Sequence, residues 1–551
     1  MMSMIDINED HGTGCRTLLL QNGRVVDGTG RSAFDGDVLV CDGRIADIGP
    51  RLPVPEGAEA IDCRGCVVSP GFIDMHSHND WFMAAPAHTA ATRPFLHQGI
   101  TTFVTGNCGF SAAGFDPARP HLGRIRDLVH KATGLKLGWH SVDDYFNVLA
   151  QNGLTHNLLL LAGHGTVRTA IRDFRPGPLD RDERRLMHRD LEAALEQGAA
   201  GVSLGLQYAP GIFAPPEELA AVARLVRRHD KILTVHPRAF STLSAAYRFR
   251  PLGTAHNLQA IQDMLDMARS TGVRLQFSHL IFFGARTWRT APQALALFDR
   301  ARREGLDLRF DTFFHHCGAS LIHVLLPEWF LARGPEAYDN RGLLLRLQAA
   351  MTGMKWVLGI DFSDIVIADA AHPRFARHNG QSIAAIARRM GKSSFRTFIR
   401  LAAASRGQAR VLMFKYSTAE IVRTLMRHPA AHFMTDAWVE PAGTQNPSAF
   451  GAFPGFLQAV REEKTIRLEE AVYKMTGANA ERFGLADRGV LTTGKAADIT
   501  VFDPRRVRDN TTPQATDRLP SGVRHVLING VAALKDGEAV DTVRAGAVLR
   551  R

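Results

Sequence analysis

Eight short apolar runs in the middle of the chain constrain its fold more than any other feature of the sequence. They cover residues 72–75, 101–105, 157–162, 200–206, 232–235, 274–277, 307–310 and 432–434. Each has the length of a strand, and helical patterns separate several of them. Because strands that alternate with helices form parallel sheets, the pattern predicts an α/β fold with a (β/α)8 barrel of the TIM type. The active site of such a barrel lies at the carboxyl ends of its strands.

Helix boundaries in the sequence agree with this alternation. Asp180 and Glu183 form a capping-box pattern, and Gly198 follows the helical run that they open. Pro216 and Pro292 open two further helical patterns, since proline is well tolerated in the first turn of a helix. The intervals between the predicted strands are therefore expected to be helical.

Both ends of the chain show short β patterns instead. Residues 17–68 hold three such runs, each closed by glycine, Asp-Gly or proline, and two more lie at 497–503 and 524–533. Two β-rich ends that enclose a long middle predict one composite β domain built from both termini. The barrel is then inserted in that domain.

These patterns divide the chain into four parts. They are a loose N-terminal tail at 1–15, a composite β-sandwich domain of 16–70 and 490–551, a barrel of 71–317 and 428–489, and an insertion of 318–427. The insertion is far longer than one helix requires, and it lies between the seventh and eighth predicted strands. We expect it to lie over the barrel mouth, where it can shape substrate access.

Five predicted strands end in residues that can bind a metal ion. The residues are His76 and His78 after the first strand, Cys108 after the second, His236 after the fifth, His279 after the sixth and Asp436 after the eighth. Taken singly, each has an ordinary explanation as a buried thiol, a core histidine or a helix cap. Because all five strand ends meet at one rim of a barrel, together they predict a metal site. A thiolate among imidazoles suits zinc best, and cobalt, manganese or iron remain open.

Composition excludes several classes of function. The formal net charge is +11, but the arginines are mixed with acidic and apolar residues on helical faces such as 181–189, so nucleic-acid binding is not expected. No stretch approaches the roughly 18 consecutive apolar residues of a membrane span, and no secretory signal is visible. The sequence therefore predicts a cytoplasmic protein that acts on a small molecule. Cys63 and Cys66 have no second pair at zinc-finger spacing and are expected to be buried thiols.

Several motifs carry a family resemblance. They are GFIDMHSHND at 71–80, HQGITTFVTGNCGFSAAG at 97–114, LLLAGHGTVR at 159–168, GVSLGLQYAPG at 201–211, and, further on, AFGAFPGFL, MTGANAERFGL and DRGVLTTGKAADITVFDP. As a set, these motifs resemble the amidohydrolase superfamily, and within it the D-aminoacylase or N-acyl-D-amino-acid deacylase family, over nearly the whole chain. The resemblance implies an amidohydrolase barrel with a composite β domain, and it is compatible with a homo-oligomer.

The resemblance also implies roles for the candidate ligands. Cys108, His236 and His279 would hold a tightly bound zinc ion, with Cys108 in the place that a carboxylated lysine takes in many relatives. The other three candidates, His76, His78 and Asp436, would frame a second, weaker metal position, so one or two zinc ions are expected. Asp436 would be the catalytic acid and base.

The stretches after the sixth and seventh strands depart from the family pattern. LIFF at 280–283 stands where relatives typically have a His-Lys pair, and FFHH at 313–316 stands where they have a tyrosine-bearing stretch. Ser448 and Gly455 stand where arginine is usual. Because a buried carboxylate needs a cation or several donors, these differences favour a hydrophobic substrate without the usual D-amino-acid carboxylate. The predicted substrate-binding residues are Trp81, Phe282, Phe313, Phe314, His315 and Arg238.

The sequence thus favours a metal-dependent hydrolase that cleaves an amide-type C–N bond in a largely hydrophobic substrate. One alternative is an N-acyl-D-amino-acid deacylase proper, and another is a hydrolase of a cyclic amide, carbamate, ester or activated C–C bond. A third alternative, of another class, is a barrel that has lost catalysis and serves as a binding module. The six intact candidate ligands argue against that last alternative.

Overall fold

The computed structural model describes residues 17–86, 88–248, 250 and 253–551, so the predicted tail at 1–15 lies outside the described residues. Strands and helices are numbered in chain order. The strands are β1 Thr17–Val25, β2 Phe34–Cys41, β3 Arg44–Gly49, β4 Glu59–Asp62, β5 Val67–Pro70, β6 Phe72–Asp74, β7 Ile100–Thr105, β8 Asn157–Gly163, β9 Gly201–Gly205, β10 Ile232–His236, β11 Arg274–Phe277, β12 Leu308–Thr312, β13 Gly318–Leu321, β14 Ile365–Asp369, β15 Arg410–Met413, β16 Ala431–Phe433, β17 Ile499–Phe502, β18 Val523–Ile528, β19 Val531–Lys535 and β20 Glu538–Ala539.

The helices fall mainly between the barrel strands and in the insertion. They are α1 Asp80–Met83, α2 His88–His97, α3 Gly123–Thr133, α4 Val142–Asn152, α5 His164–Arg172, α6 Arg181–Glu196, α7 Pro216–Arg228, α8 His256–Thr271, α9 Ala291–Arg303, α10 Glu328–Leu331, α11 Arg341–Leu358, α12 Pro373–Ala376, α13 Ile383–Arg389, α14 Ser394–Ala404, α15 Ala419–Arg427, α16 Ser448–Glu463, α17 Leu468–Met475 and α18 Gly477–Phe483. No helix in the described part of the chain is both long enough and apolar enough to cross a membrane.

Eight parallel strands form the central sheet in the order β16-β12-β11-β10-β9-β8-β7-β6. Each corresponds to one of the apolar runs in the sequence, so the predicted barrel strands are confirmed. Strands such as β7, β8 and β9 are buried along their whole length, because the sheet is covered on both sides. In β8, Leu158 and Leu160 pack outward among the helices, whereas Leu159 and Leu161 pack inside the barrel with Ile73 of β6.

Helix starts follow the predicted sequence signals. The Asp180 side chain caps α6 by accepting hydrogen bonds from the backbone N–H groups of Asp182 and Glu183, and the Glu183 side chain completes the capping box. Pro216 is the first residue of α7, and α9 has a proline in its first turn. Local chemistry therefore sets where these helices begin.

Within the described residues, no hydrogen-bonded ladder links β6 and β16, the first and last barrel strands. Two side chains connect these strands instead. Asn479 of α18 donates from Nδ2 to the carbonyl oxygen of Ile73 at 2.7 Å, and its Oδ1 lies 2.6 Å from Nδ1 of His432. At the carboxyl ends of the same strands, the Asp74 carboxylate accepts from the backbone N–H of Thr435 at 3.0 Å. Side chains thus close the barrel where the sheet does not.

The two ends of the chain meet in a nine-stranded sheet of order β20-β19-β18-β17-β5-β1-β2-β3, with β4 beside β1. The join is antiparallel between β5 and β17, with Val68 opposite Val501. All nine strands form one continuous sheet rather than two separate ones. Its core cluster holds side chains such as Leu20, Val38 and Ile499, which come from the sheet itself and its loops, so the sheet folds over its own core.

The segment between β12 and β16 has a three-stranded antiparallel sheet of its own, in the order β13-β15-β14. A separate apolar core runs through it from Ile322 to Met413. Its returning chain lies against the loop after β11, because the N–H of Phe282 donates to the carbonyl oxygen of Tyr416 at 2.9 Å. The insertion therefore touches the carboxyl-end rim of the barrel.

Two segments at the predicted domain boundaries associate with the barrel. The sequence assigns helix α15 to the insertion, but its residue Leu425 packs in the apolar core between the barrel strands and the surrounding helices. The last residues of the chain, assigned to the β domain, run along β8, where the N–H of Leu549 donates to the carbonyl oxygen of Leu158 at 2.8 Å. The predicted boundaries themselves stay predictions.

A buried carboxylate connects the barrel with the β domain. Asp498 accepts hydrogen bonds from Nδ2 of Asn157 at 2.9 Å, from the N–H of Asn529 at 2.8 Å and from the guanidinium of Arg488. Asn157 begins the barrel strand β8, and Asn529 lies between β18 and β19. One side chain therefore links three separate segments of the chain.

We expect Asp498→Ala to destabilise the protein by about 3–5 kcal/mol, because it removes the buried partner of the Arg488 cation and leaves only the half-exposed carboxylate of Asp487 beside it. The measurement is the free energy of unfolding in denaturant. Glu59→Ala is the control, since its ion pair with Lys535 is exposed and is worth at most about 1 kcal/mol. Equal, small effects of both substitutions would contradict a structural role for Asp498.

Candidate metal centre

The Asp74 carboxylate positions the two loops that carry three of the predicted ligands. It is fully buried and accepts hydrogen bonds from the backbone N–H of His76 at 3.3 Å and from the N–H of Thr435 at 3.0 Å. Burial raises the pKa of Asp74 to about 7, although the hydrogen bonds from Thr435 and His76 oppose this shift. The loop with His76 and His78 is thereby held against the loop with Asp436.

Three of the predicted ligands have left-handed backbone conformations. The φ angles are +55° at Cys108, +34° at His279 and +50° at Asp436. Such conformations cost non-glycine residues about 1–3 kcal/mol each, and they persist only where neighbouring contacts hold them. One such contact is the hydrogen bond of 2.6 Å from the N–H of His279 to Oδ1 of Asp311. Strain at three strand ends marks this rim as a functional site.

The predicted ligands converge in two groups that share Cys108. One group is His76, His78, Cys108 and Asp436, and the other is Cys108, His236 and His279; the donor atoms within each group lie within 4.8 Å of one another. Sγ of Cys108 lies 3.3 Å from Nε2 of His76 and 3.4 Å from Nε2 of His279. Oδ1 of Asp436 lies 3.2 Å from Nε2 of His78 and 3.4 Å from Nε2 of His76.

These spacings fit a shared divalent metal ion. A sulfur at about 2.3 Å and a nitrogen at about 2.05 Å from one tetrahedral zinc ion lie about 3.6 Å apart, close to the sulfur–nitrogen distances around Cys108. In addition, Nδ1 of His236 is buried and has no hydrogen-bond partner among the described residues. A thiolate, several imidazoles and a carboxylate are the ligands that zinc prefers.

The charges at the site also suit a divalent cation. Burial alone would raise the pKa of Cys108, but the neighbouring imidazoles of His76, His279 and His236 hold it well below its usual range. Burial likewise opposes ionisation of Asp436, yet His76 and His279 keep the pKa of this carboxyl below its ordinary value. In the other direction, Asp436 and Cys108 raise the pKa of His78 to about 9 despite its burial. The site thus concentrates two negative ligands that a cation can bind.

The predicted aromatic substrate-binding residues are placed mainly by packing. Phe282 is fully buried in the barrel core, and Phe313 is only 3% exposed. The ring of Phe314 contacts the ring of Phe456 edge-to-face, with the ring centroids 5.5 Å apart. Trp81 is partly buried against the barrel core. Their predicted contact with substrate stays a prediction, and the full burial of Phe282 argues against its own contact.

The two predicted polar substrate contacts are already hydrogen-bonded within the protein. His315 binds Oγ of Ser448 through Nδ1 at 3.1 Å and Oδ2 of Asp509 through Nε2 at 2.9 Å. Arg238 donates from Nη1 to the carbonyl oxygen of Ile212 at 2.8 Å and from Nη2 to that of Ala214. These hydrogen bonds connect both side chains to the surrounding loops, and their contact with the substrate stays a prediction.

Four further side chains surround the ligands and were not selected from the sequence. The ring of Trp438 lies 5.5 Å from that of His78, and the ring of Tyr208 lies 4.9 Å from that of His236. Gln207 binds the side chain of His236, and Asp311 accepts a hydrogen bond from the backbone N–H of His279. Gln207 and Tyr208 stand in GVSLGLQYAPG, and that position directly after a strand was the available signal.

The sequence matches the model of the Amidohydrolase family over residues 59–310 and 351–533. The chain belongs to the amidohydrolase family. It is 33% identical over 537 residues to an N-acyl-D-glutamate deacylase from Alcaligenes xylosoxydans xylosoxydans, a match that covers 97% of this chain and 96% of that protein.

Solved structures resemble this amidohydrolase over the same length. An N-acyl-D-glutamate deacylase from Bordetella bronchiseptica, complexed with zinc and a phosphonate inhibitor, has a TM-score of 0.77 at 29% identity and covers 97% of this chain and 99% of that chain. A D-aminoacylase with a binuclear metal centre has a TM-score of 0.77 at 27% identity, with the same coverage. The predicted family, fold and enzymatic nature are confirmed, so the alternative of a non-catalytic scaffold is set aside.

We expect Cys108→Ala to lose metal from both donor groups, because its sulfur is shared between them. His78→Ala should lose metal from one group only. Elemental analysis of the purified proteins measures this, and Cys63→Ala is the matched control because Cys63 is a thiol buried in the β domain. Wild-type metal content in Cys108→Ala would show that the thiolate is not a ligand.

Proposed function

We propose that this amidohydrolase is a zinc-dependent deacylase that hydrolyses the amide bond of N-acyl-D-amino acids. The observation that carries the proposal is the shared donor set around Cys108 with the ionised Asp436 beside it. The similarity to the N-acyl-D-glutamate and N-acyl-D-aspartate deacylases of Alcaligenes xylosoxydans xylosoxydans supports the bond type and the substrate class. The substrate is a small molecule.

Cys108, His236 and His279 are the proposed ligands of the tightly held zinc ion, and His76, His78 and Asp436 frame the second position. Bound zinc supplies Lewis acidity, which lowers the pKa of water from 15.7 to about 7 and polarises an acyl carbonyl group. Cys108 is buried and the Asp436 side chain is 24% exposed, so water screens their attraction for the cation only in part.

Asp436 is the proposed acid and base. Because the neighbouring histidines hold its pKa low, its carboxylate is ionised at neutral pH and can accept a proton from water through an oxygen atom. The same oxygen can then donate that proton to the leaving nitrogen of the amide. The backbone hydrogen bond of 2.9 Å from the N–H of Asp436 to the carbonyl oxygen of His76 fixes the residue beside the ligands.

The region that departs from the family pattern supports an apolar substituent on the substrate. Phe314 and Gly455 pack so closely that a Cβ atom at position 455 would lie 2.3 Å from Cδ1 of Phe314. An arginine therefore cannot replace Gly455 without moving Phe314. Because Gly455 packs against the ring of Phe314 and no cation stands at either position, we propose that the substrate carries a hydrophobic acyl group or amino-acid side chain rather than an acidic one.

A second candidate is a neutral amide without the D-amino-acid carboxylate. It is favoured by the same contact between Phe314 and Gly455, together with the run LIFF at 280–283, because neither supplies a cation. Under this alternative, the metal centre and Asp436 keep the same roles.

We expect Asp436→Asn to lower kcat by about 10²–10⁴-fold, because the amide cannot accept a proton. The tightly held metal should remain, since Cys108, His236 and His279 are intact. Steady-state kinetics and elemental analysis of the same preparation test both statements. Undiminished kcat with bound metal would exclude Asp436 as the base.

Substrate preference separates the two candidates. We expect N-acetyl-D-leucine and N-acetyl-D-phenylalanine to be hydrolysed at least tenfold faster, in kcat/KM, than N-acetyl-D-glutamate, their L-enantiomers and neutral N-acyl anilides. Colorimetric detection of the released amine measures the rates, with Asp436→Asn as the blank. Turnover of anilides alone would favour the neutral-amide candidate, and preference for N-acetyl-D-glutamate would refute the apolar substituent.

A further inference from the structure

The two ring nitrogens of His236 have different surroundings. Nε2 lies 2.9 Å from Oε1 of Gln207, whereas Nδ1 is buried and has no hydrogen-bond partner among the described residues. His236 ends β10, and Gln207 follows β9, which is the neighbouring parallel strand. In the register of these strands, His236 is opposite Gly205, so Gln207 is brought beside the imidazole by the sheet itself.

A neutral imidazole has one N–H group and one nitrogen lone pair, and only the lone pair can bind a metal ion. A carboxamide oxygen can only accept a hydrogen bond. When Oε1 of Gln207 faces Nε2, the proton is therefore on Nε2 and the lone pair is on Nδ1. Nδ1 is the nitrogen that is left free for the donor group of Cys108, His236 and His279.

We propose that Gln207 is a positioning residue of the metal centre. It accepts the Nε2–H of His236 and so holds this histidine in the tautomer and ring orientation in which Nδ1 binds zinc. The inference rests on the metal centre of the proposed function and is independent of the substrate.

The other neighbours of the His236 ring cannot replace this acceptor. Tyr208, Phe240 and His279 contact the ring edge-to-face, with centroids 4.9, 4.8 and 4.5 Å away. The hydroxyl group of Tyr208 already donates to the carbonyl oxygen of Cys108 at 2.7 Å. These rings restrict the imidazole sterically, whereas Gln207 is the one residue in the described part of the chain that places a hydrogen-bond acceptor at Nε2.

The hydrogen-bond acceptor that Gln207 offers to His236 is uncharged. The Nδ1 atom of His76 lies 3.5 Å from a carboxylate oxygen of Asp311, so that ligand has a charged neighbour. At His236 the acceptor is an amide, which orients the ring without adding a further negative charge beside Cys108. A glutamate at position 207 would keep the acceptor and add the charge, and a leucine would remove the acceptor with little change in size.

The experiment measures zinc affinity by competition with a chelator. We expect Gln207→Leu to weaken zinc binding about 10–100-fold, the usual effect of losing the partner of a ligand histidine. Gln207→Glu should bind zinc at least as tightly as the wild type. Gln207→Asn should bind zinc more weakly than the wild type, because its shorter side chain moves the oxygen away from Nε2 of His236. Gln348→Leu, an exposed substitution on α11, is the matched control and should leave the affinity unchanged.

The melting temperature of each metal-free variant shows whether the fold is intact. If Gln207→Leu does not fold, the zinc affinities of Gln207→Glu and Gln207→Asn are compared instead. Absorption of the cobalt-loaded protein reports whether Cys108 still binds the metal. Zinc affinity of Gln207→Leu within twofold of the wild type would overturn the inference, as would equal weakening by leucine and glutamate. No substrate is used, so a weakened Gln207→Leu and a restored Gln207→Glu would support the inference even if no N-acyl-D-amino acid were hydrolysed.

Discussion

The closure of the barrel between its first and last strands is the constraint on which the metal centre depends. Within the described residues the sheet itself does not close, and the side chains of Asn479 and Asp74 bridge β6 and β16. Because Asp74 ties the loop with His76 to the loop with Asp436, the carboxylate of one strand end is brought to the imidazoles of the other. A buried carboxylate at the closure therefore determines the geometry of the site.

The site also opposes the ordinary effect of burial. Taken alone, burial would protonate Cys108 and Asp436 and neutralise the histidines, because a low-dielectric interior disfavours every charge. Except at His236, where burial lowers the pKa, the residues instead stabilise one another's ionised forms, as the lowered pKa of Cys108 and the raised pKa of His78 indicate. The two anionic ligands attract a divalent ion, and because a histidine binds a metal only as the neutral imidazole, metal binding would displace the imidazole protons.

Much of the fold followed from local patterns. The eight barrel strands, the capping box at Asp180 and the helix start at Pro216 agree with the sequence signals, and α9 begins one residue before the predicted Pro292, because each depends on residues close together in the chain. Boundaries were harder to place. Helix α15 and the last residues of the chain pack against the barrel, and that packing depends on partners far away in sequence.

By itself, the sequence determined which residues can bind a metal, since His76, His78, Cys108, His236, His279 and Asp436 each follow a recognisable strand and parallel strands end at one rim. Only the tertiary structure decided how the rest of the rim is used. Phe282 is buried in the core, both nitrogens of His315 are hydrogen-bonded, and Gln207 rather than a charged residue faces His236. The physical reason is that a strand end fixes where a side chain begins, whereas its partners are set by whichever loops the closed barrel brings beside it.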